Sequence, residues 1–477
     1  LSTELFADVS DTNLKIFNTL SRKKEAFRPI HADRVLIHSC GPTVHDTPHL
    51  GTYRRFVVAD MMARYLEMKG FQVSLASNII DLADRSIQRA DRENVELKQY
   101  TEQYVDRFLG DLKKLRMREG TLYPRASENV EPMVRITERL VEKGFAYEKL
   151  RSLYFDISKL DDYGVLSNVD LKKGIRQKTI DQDDYEKDSP VDFTLLKRSN
   201  LAELKRGIYY KTRWGNVRPG WHLECAAMAM KHLGERFDIH ASGSDILFPH
   251  CENVMAIGKA ATGGPLANYW VNTELVMLEG KKMSRSLKNV CTLEDLEKKG
   301  YEGREIRYFL LSSHYRKPLN FSFGALDTAR NTVRRLNGFL QRLFRLTPGA
   351  GFPDMDQYLY DVRKEFTDAM DDDFNISGAL AALFEFVRKV NVPLAEDLLS
   401  EKERDRALRE LETVNSVISV MDFEPKRLPG EAEGLLKRRE AARRAGNWSE
   451  SDRIRRELED MGIRLQDTPE GTLWTIH

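Results

Sequence analysis

Between Val35 and Ala76 the chain runs apolar, then turn-like, then helical, then apolar again, and this order leaves few folds open. Val35-Leu36-Ile37-His38-Ser39-Cys40 reads as a strand, and Pro48-His49-Leu50-Gly51-Thr52 as a tight turn containing glycine. From Tyr53 to Lys69 apolar residues recur at helical spacing, and Phe71-Gln72-Val73-Ser74-Leu75-Ala76 reads as a second strand. Strand, helix, strand is a βαβ unit, which predicts a parallel sheet and an α/β domain. Phe237-Asp238-Ile239-His240 and Glu274 to Leu278 are later strand candidates. A strand that passes through a glycine turn into a helix presents backbone N–H groups to anions. His49 and Gly51 sit at such a turn.

With 477 residues the chain exceeds one ordinary hydrophobic core, so two or three domains are expected. No apolar run approaches the roughly 20 residues that span a bilayer, so no membrane partner is expected. Leu1-Ser2-Thr3-Glu4-Leu5 has no basic segment leading into an apolar core, so no secretory signal is expected. The formal net charge of +1 does not announce a nucleic-acid binder, and any RNA contact must use local patches. The four cysteines, Cys40, Cys225, Cys251 and Cys291, form no disulfide framework by spacing. They fit a cytoplasmic protein that keeps thiols for a metal or for chemistry.

From about Arg118 to Thr212 the sequence is more polar and irregular, as an insertion into the sheet domain would be. After about Phe309 it turns almost wholly helical. Breaks are expected at Pro348-Gly349-Ala350-Gly351-Phe352-Pro353 and at Pro425-Lys426-Arg427-Leu428-Pro429-Gly430, the second leading into a short basic module that ends at His477.

A second motif, Lys282-Met283-Ser284-Arg285-Ser286, follows Glu274-Leu275-Val276-Met277-Leu278. Together with Pro48-His49-Leu50-Gly51-Thr52 it resembles the HIGH and KMSKS elements of class I aminoacyl-tRNA synthetases. Cys40-Gly41-Pro42-Thr43-Val44, Gly220-Trp221-His222-Leu223-Glu224-Cys225 and Phe248-Pro249-His250-Cys251-Glu252-Asn253 narrow the resemblance to the cysteinyl-tRNA synthetases. It runs from about Leu14 to the C-terminus. It implies a Rossmann-like catalytic domain over residues 1–320 with an insertion at about 118–212. A helical tRNA-binding bundle over 321–425 and a small anticodon-recognition module over 430–477 follow.

The implied reaction is ATP-dependent activation of cysteine to cysteinyl-adenylate, followed by transfer to the terminal adenosine of tRNA(Cys). By resemblance, His49, Thr52, Lys282 and Arg285 serve catalysis. Gly51, Met283, Ser284 and Ser286 join them around ATP and its Mg2+. Cations placed where pyrophosphate departs stabilise the transition state more than the ground state. Thr52 stands where the family usually has His or Asn, and Arg285 where it usually has lysine. Gly41, Trp221, His240 and Asp245 match positions around the substrate amino acid, with Asp245 suited to its ammonium group.

Cys40, Cys225 and His250 match three zinc ligands of the family, whose metal receives the thiolate of cysteine and so excludes serine. The fourth family ligand is a glutamate, and here that position is Val254. On a regular helix residues 250 and 254 share a face whereas 250 and 251 do not, so Cys251 is a poor replacement unless the helix breaks. Two cysteines and one histidine with an open position suit a catalytic zinc. Ile80 replaces a substrate-facing threonine, and with Val254 it makes the expected pocket more apolar.

Ala369-Met370-Asp371-Asp372-Asp373-Phe374-Asn375 resembles the start of the family's helical bundle. The tail from Arg438 through Trp448 to Trp474 resembles its C-terminal module. Arginines there suit phosphates, while Trp448 and Trp474 suit either base stacking or packing. A monomer is expected. Two other readings stay open: a paralogue of altered amino-acid specificity, or a cysteine ligase acting on a small amine; and a non-catalytic, synthetase-like tRNA-binding protein.

Overall fold

The computed structural model describes residues 13–169, 187–425, 428–468 and 471–476. Four expectations touch the remainder: the N-terminal reading at Leu1–Leu5, the middle of the insertion, Lys426-Arg427 in the second break, and the end of the C-terminal module at His477. These lie outside the described residues.

Four parallel strands form the sheet that organises the chain. They are β1 (Arg34–Ser39), β2 (Gln72–Ser77), β3 (Phe237–Gly243) and β4 (Ala267–Thr273), in the order β4-β3-β1-β2. Helix α1 (Leu50–Met68) joins β1 to β2, α2 (Trp221–Leu233) precedes β3, and α3 (Glu252–Thr262) joins β3 to β4. Five of the six residues of β1 and all seven of β3 are buried, as strands covered on both faces must be. Helix α1 begins three residues before the expected Tyr53, because His49 is extended (φ −102°, ψ 168°) and caps it.

The chain leaves β1 for β2 on one side and β3 for β4 on the other. The strand order therefore reverses between β1 and β3, and a crevice opens at their carboxyl ends. Cys40-Gly41 follows β1 there, and Ser244-Asp245 follows β3. Gly41 is required: a Cβ at this position would stand 1.2 Å from the carbonyl oxygen of Asn78.

The stretch from Glu274 to Leu278 does not join this sheet. Val276–Leu278 pairs instead with Lys281–Lys282 and Leu319–Phe321. The carbonyls of Glu274 and Leu275 accept from the buried Arg54 guanidinium at 2.8 and 3.0 Å, which shortens the strand. The polar insertion and the residues just after it form a five-stranded antiparallel sheet built from Ala146–Lys149, Ser152–Phe155, Phe193–Arg198, Tyr210–Thr212 and Gly215–Pro219. Its polarity disguised the strands, because its buried polar groups are paired. Tyr147 O–H donates to Asp192 at 2.9 Å, and Arg218 to Glu203 at 3.0 Å.

The chain divides into two compact units. The first runs to Ala329 and takes in Asp368–Ser377 and Ser416–Ser419; the second holds the remainder. Within the first, Asp373 accepts from Phe17 N–H (2.8 Å), Tyr315 O–H (2.6 Å) and Arg316 Nε–H (2.6 Å). The second unit is mainly helical. It ends in two helices, Gly430–Arg444 and Trp448–Asp460, and a hairpin of Ile463–Thr468 with Gly471–Ile476, the non-helical part of a region expected to be almost wholly helical. Leu435, Leu436, Ile454 and Leu458 form the core of that module. Among the described residues, no helix is long and apolar enough to cross a membrane.

Candidate active site and metal centre

The crevice brings the two distant motifs to one place. A cavity of about 350 Å³ is lined by Gly41, His49, Thr52, Ser284, Arg285 and Ser286, among others. A neighbouring cavity of about 170 Å³ is lined by His49, Gly51, Asp245, Lys282 and Met283. The backbone ties the first motif to the segment just after the second: Leu50 N–H donates to the Cys291 carbonyl at 2.8 Å. Arg285 reinforces the join, pairing with Asp46 at 2.9 Å and donating to the Thr47 carbonyl. Lys282 Nζ lies 3.0 Å from Asp245 Oδ2.

Burial, then the charges of Arg285 and Arg55, lowers the His49 imidazole to about 4. At neutral pH it is an uncharged ring that donates one N–H, and its Nδ1 is buried with no hydrogen-bond partner. Gly41 N–H donates to Asn78 Oδ1 at 3.0 Å, while its carbonyl accepts from Arg55 at 3.2 Å. Trp221 lines the larger cavity and stacks on His250 with ring centres 4.1 Å apart. His240 lines neither cavity: it is fully buried and stacked on Trp270 at 4.3 Å. Ile80 and Val254 are also fully buried, in the apolar core that includes Cys40, Cys225 and Cys251.

At the wall of the larger cavity, which Cys40 and His250 line, the thiols and imidazoles converge. Cys40 Sγ lies 3.5 Å from Cys225 Sγ, 3.6 Å from His240 Nε2 and 3.5 Å from His250 Nε2. His38 Nε2 is 4.0 Å from Cys225 Sγ. The ligand atoms of His38, Cys40, Cys225 and His240 all lie within 4.8 Å of one another, and His250 is outside that group. The fold explains the meeting. His38 and Cys40 are two residues apart on extended chain and share a face. His240 is directly opposite His38 in the parallel register of β3 and β1, and Cys225 comes from α2.

Burial holds His38 at about 4 and His240 and His250 well below the usual histidine range, so each ring keeps a lone pair. The contact with Cys225, followed by burial among its causes, raises the Cys40 thiol well above its ordinary value, an effect a bound dication would reverse. Two thiols and neutral imidazoles at these spacings fit zinc. Val254 contributes nothing to the group. The chain kinks at Phe248 (φ −123°, ψ 133°), just before His250. Cys251 Sγ sits 3.1 Å from Ser242 Oγ.

Sequence reasoning passed over His38 and Arg55. The signal for His38 was its place two residues before Cys40 on a strand; for Arg55, its place four residues after Gly51 on one helix face. In the C-terminal module Arg439 is buried and paired with Asp467 at 2.7 Å, so it is structural. Trp474 packs against the module core with the Arg345 guanidinium 4.2 Å from its ring centre, whereas Trp448 is 61% exposed.

Comparison with known proteins agrees along the whole chain. Residues 26–331 match the family described as tRNA synthetases class I (C) catalytic domain, 365–423 the DALR domain, and 426–474 the cysteinyl-tRNA ligase anticodon binding domain. The chain is 38% identical over 472 residues to a cysteine–tRNA ligase of Methanosarcina mazei, covering 96% of this chain and 98% of that protein. It is 37% identical over 478 residues to one of Thermococcus onnurineus, covering 97% and 98%. Among solved structures it is similar to Mycobacterium tuberculosis methionyl-tRNA synthetase in complex with methionyl-adenylate. The TM-score is 0.60 at 15% identity, over 81% of this chain and 90% of that one, a likeness of fold.

Proposed function

Because this chain belongs to the cysteinyl-tRNA synthetase family, we propose that it joins cysteine to ATP as cysteinyl-adenylate and passes the acyl group to the terminal adenosine of tRNA(Cys). The observation that carries this reading is that the two nucleotide motifs line one cavity directly beside a buried thiol–imidazole cluster. In the first step a carboxylate oxygen of cysteine attacks the α-phosphorus of Mg2+-bound ATP, and pyrophosphate leaves. Neutral His49 donates to a phosphate oxygen. Lys282 and Arg285 meet the charge that grows on the leaving group, with Ser284, Ser286 and the backbone at Gly51 and Met283 holding the nucleotide. Thr52 supplies a hydroxyl at the helix start.

Asp245 takes the ammonium of the amino acid, Gly41 and Trp221 shape its surroundings, and His240 acts from behind Cys40, 3.6 Å from its Sγ. No covalent bond to the protein is needed; orientation and charge do the work. Cys40 and Cys225 hold zinc with an imidazole, for which family position nominates His250. Bound zinc supplies a Lewis acid that prefers a thiolate to a hydroxyl. Residues 1–320 are assigned the activation chemistry, and residues 321–425 and 430–477 the tRNA. The protein is assigned to the cytoplasm as a monomer.

Pyrophosphate exchange with each of the twenty amino acids, followed by charging of tRNA, tests the reading. Exchange that depends on cysteine, with serine at background, is the expected result. Exchange driven by another amino acid would make Ile80 and Val254 marks of a changed substrate. Tight tRNA binding without any exchange would leave a non-catalytic binder.

A further inference from the structure

We propose that a basic cavity apart from the catalytic crevice, lined by Lys24, Arg316 and Lys317, takes a backbone phosphate of bound tRNA and sets the register of the RNA against the active site. The inference rests on the reading of tRNA as substrate and names where the catalytic unit grips it.

The cavity holds about 240 Å³, and its wall comes from three separated segments of the first unit. Lys24 comes from the hairpin of Lys15–Asn18 with Lys23–Ala26. His314, Arg316 and Lys317 come from the turn before Leu319–Phe321, and Asp372 and Ser377 from the segment that returns to this unit. None of these residues lines the two cavities of the nucleotide motifs. Three cations thus surround one carboxylate. Lys24 Nζ lies 2.5 Å from Asp372 Oδ1, with side chains 37% and 55% exposed, so this pair opens readily to another anion. Arg316 gives its Nε–H to Asp373 at 2.6 Å and lies over the Phe17 ring at 4.5 Å, which fixes the guanidinium plane while the side chain stays 35% exposed. Lys317 is exposed, and its ammonium forms no ion pair among the described residues. The helix Ile376–Ala395 begins at this wall, so its first N–H groups add positive potential where Ser377 lines the cavity. Ammonium, guanidinium and a helix start are donors that suit a phosphate.

A second observation ties the cavity to the catalytic frame. Buried Arg54 of α1 donates to the His314 and Lys317 carbonyls at 3.2 and 2.8 Å, and to the Glu274 and Leu275 carbonyls at 2.8 and 3.0 Å. His314 Nδ1 accepts from the Arg316 backbone N–H at 3.2 Å and closes the turn. One side chain therefore holds the cationic turn to the helix that carries the first nucleotide motif and to the strand that leads into the second. A phosphate contact carries no sequence information, but it fixes how the nucleic acid lies on the protein. Here that register passes through Arg54 to the site where the acyl group is transferred.

The test uses the full-length protein and a tRNA(Cys) transcript, with binding and charging measured over a range of salt. Lys317→Gln is expected to raise Kd and KM for the tRNA about 5- to 30-fold at low salt, the scale of one lost charged contact. The plot of log Kd against log salt should flatten by roughly 0.7–1 for each cation removed, so adding Lys24→Gln should flatten it further. Lys317→Arg should restore binding. Cysteine-dependent pyrophosphate exchange and the melting temperature should stay unchanged, since neither lysine belongs to the activation machinery. Unaltered Kd and salt slope in the double variant overturn the proposal. So does weaker binding with an unchanged slope, which marks a structural effect. Inorganic phosphate that raises the melting temperature of the unaltered chain but not of Lys317→Gln, while both bind tRNA alike, makes this a free-phosphate site and ends the RNA assignment. A chain that binds tRNA with the expected Lys317→Gln loss but never charges it keeps this site and sinks the synthetase reading. A chain that binds no tRNA overturns both.

Discussion

Lys282 Nζ and Asp245 Oδ2 form an ion pair 3.0 Å apart, joining the cation assigned to departing pyrophosphate with the carboxylate assigned to the substrate ammonium. Both side chains are roughly one-third exposed or more (42% and 32%), so the pair is worth at most about 1 kcal/mol and is readily exchanged for ligands. Lys282→Ala is expected to slow adenylate formation about 10²-fold, the effect of losing one preorganised charge contact. Asp245→Asn is expected to raise KM for the amino acid while leaving KM for ATP nearly constant. Both variants should melt close to the unaltered chain. Single-turnover adenylate formation and thermal unfolding check all three statements.

His49 offers a test with a defined sign. Its imidazole is lowered to about 4, by burial first and then by Arg285, against an ordinary 6.5. Between those values the unfolded chain binds a proton that the native chain does not, so this group makes stability fall as pH drops from 6.5 toward 4. His49→Asn removes that contribution and keeps a neutral donor. Its stability should decline less steeply over this window, and it should lose less adenylate formation than His49→Ala. Urea unfolding across the window reads the first expectation, and pre-steady-state kinetics the second.

At Gly41 the backbone approach to Asn78 leaves no room for a methyl group, since the added carbon would stand 1.2 Å from a carbonyl oxygen. Gly41→Ala is expected to destabilise the protein by about 1–3 kcal/mol or more, because backbone must move. The shift also displaces Cys40 and the carbonyl that Arg55 contacts, so pyrophosphate exchange should fall further than the loss of folded protein explains. Measuring exchange per folded molecule separates the two effects.

The β1–α1–β2 unit was legible because two short apolar runs, Val35–Ser39 and Phe71–Ala76, flank a glycine turn and a longer stretch whose apolar residues recur at helical spacing. The strands inside the insertion were not, because Asp192 and Lys197 are buried yet paired, and local polarity cannot reveal partners that arrive from elsewhere in the chain. His38 read as one more strand residue, since its value depends on His240 standing opposite it, 202 positions later in the sequence. The acidic run at Asp371 to Asp373 had a motif but no visible destination; Asp373 closes against Phe17, 356 positions away.

That destination changes where the chain can be cut. Every residue assigned to activation precedes about Asn289, yet the first unit includes Asp368–Ser377 and Ser416–Ser419. The Ile418 carbonyl accepts from buried Arg307 at 2.7 Å, and Asp373 serves Phe17, Tyr315 and Arg316. A chain ending at Leu346 orphans these donors at about 1–3 kcal/mol each, against a total stability of about 5–15 kcal/mol. It is expected to be recovered unfolded or aggregated. A chain ending at Pro425 keeps both returning segments. It should still exchange pyrophosphate and should charge tRNA only at background. Circular dichroism and the two assays on the purified fragments give the answer.

The two tryptophans of the C-terminal module should behave differently. Trp448 is 61% exposed, with the Arg443 guanidinium 5.6 Å from its ring centre, whereas Trp474 packs on the core around Leu435 and Ile454. An exposed ring beside a cation is a stacking platform, and one base stacked on an aromatic side chain is worth about 1–3 kcal/mol. Trp448→Ala is therefore expected to raise KM for tRNA about 5- to 100-fold, with unfolding and pyrophosphate exchange unchanged. Trp474→Ala should instead lower the melting temperature of the module, and charging should fall because less of it is folded. Charging kinetics at several temperatures separate these cases. The Trp474 defect should shrink on cooling, and the Trp448 defect should persist. A Trp448→Ala variant that charges normally would make the exposed ring a bystander and leave the arginine face as the module's route to RNA.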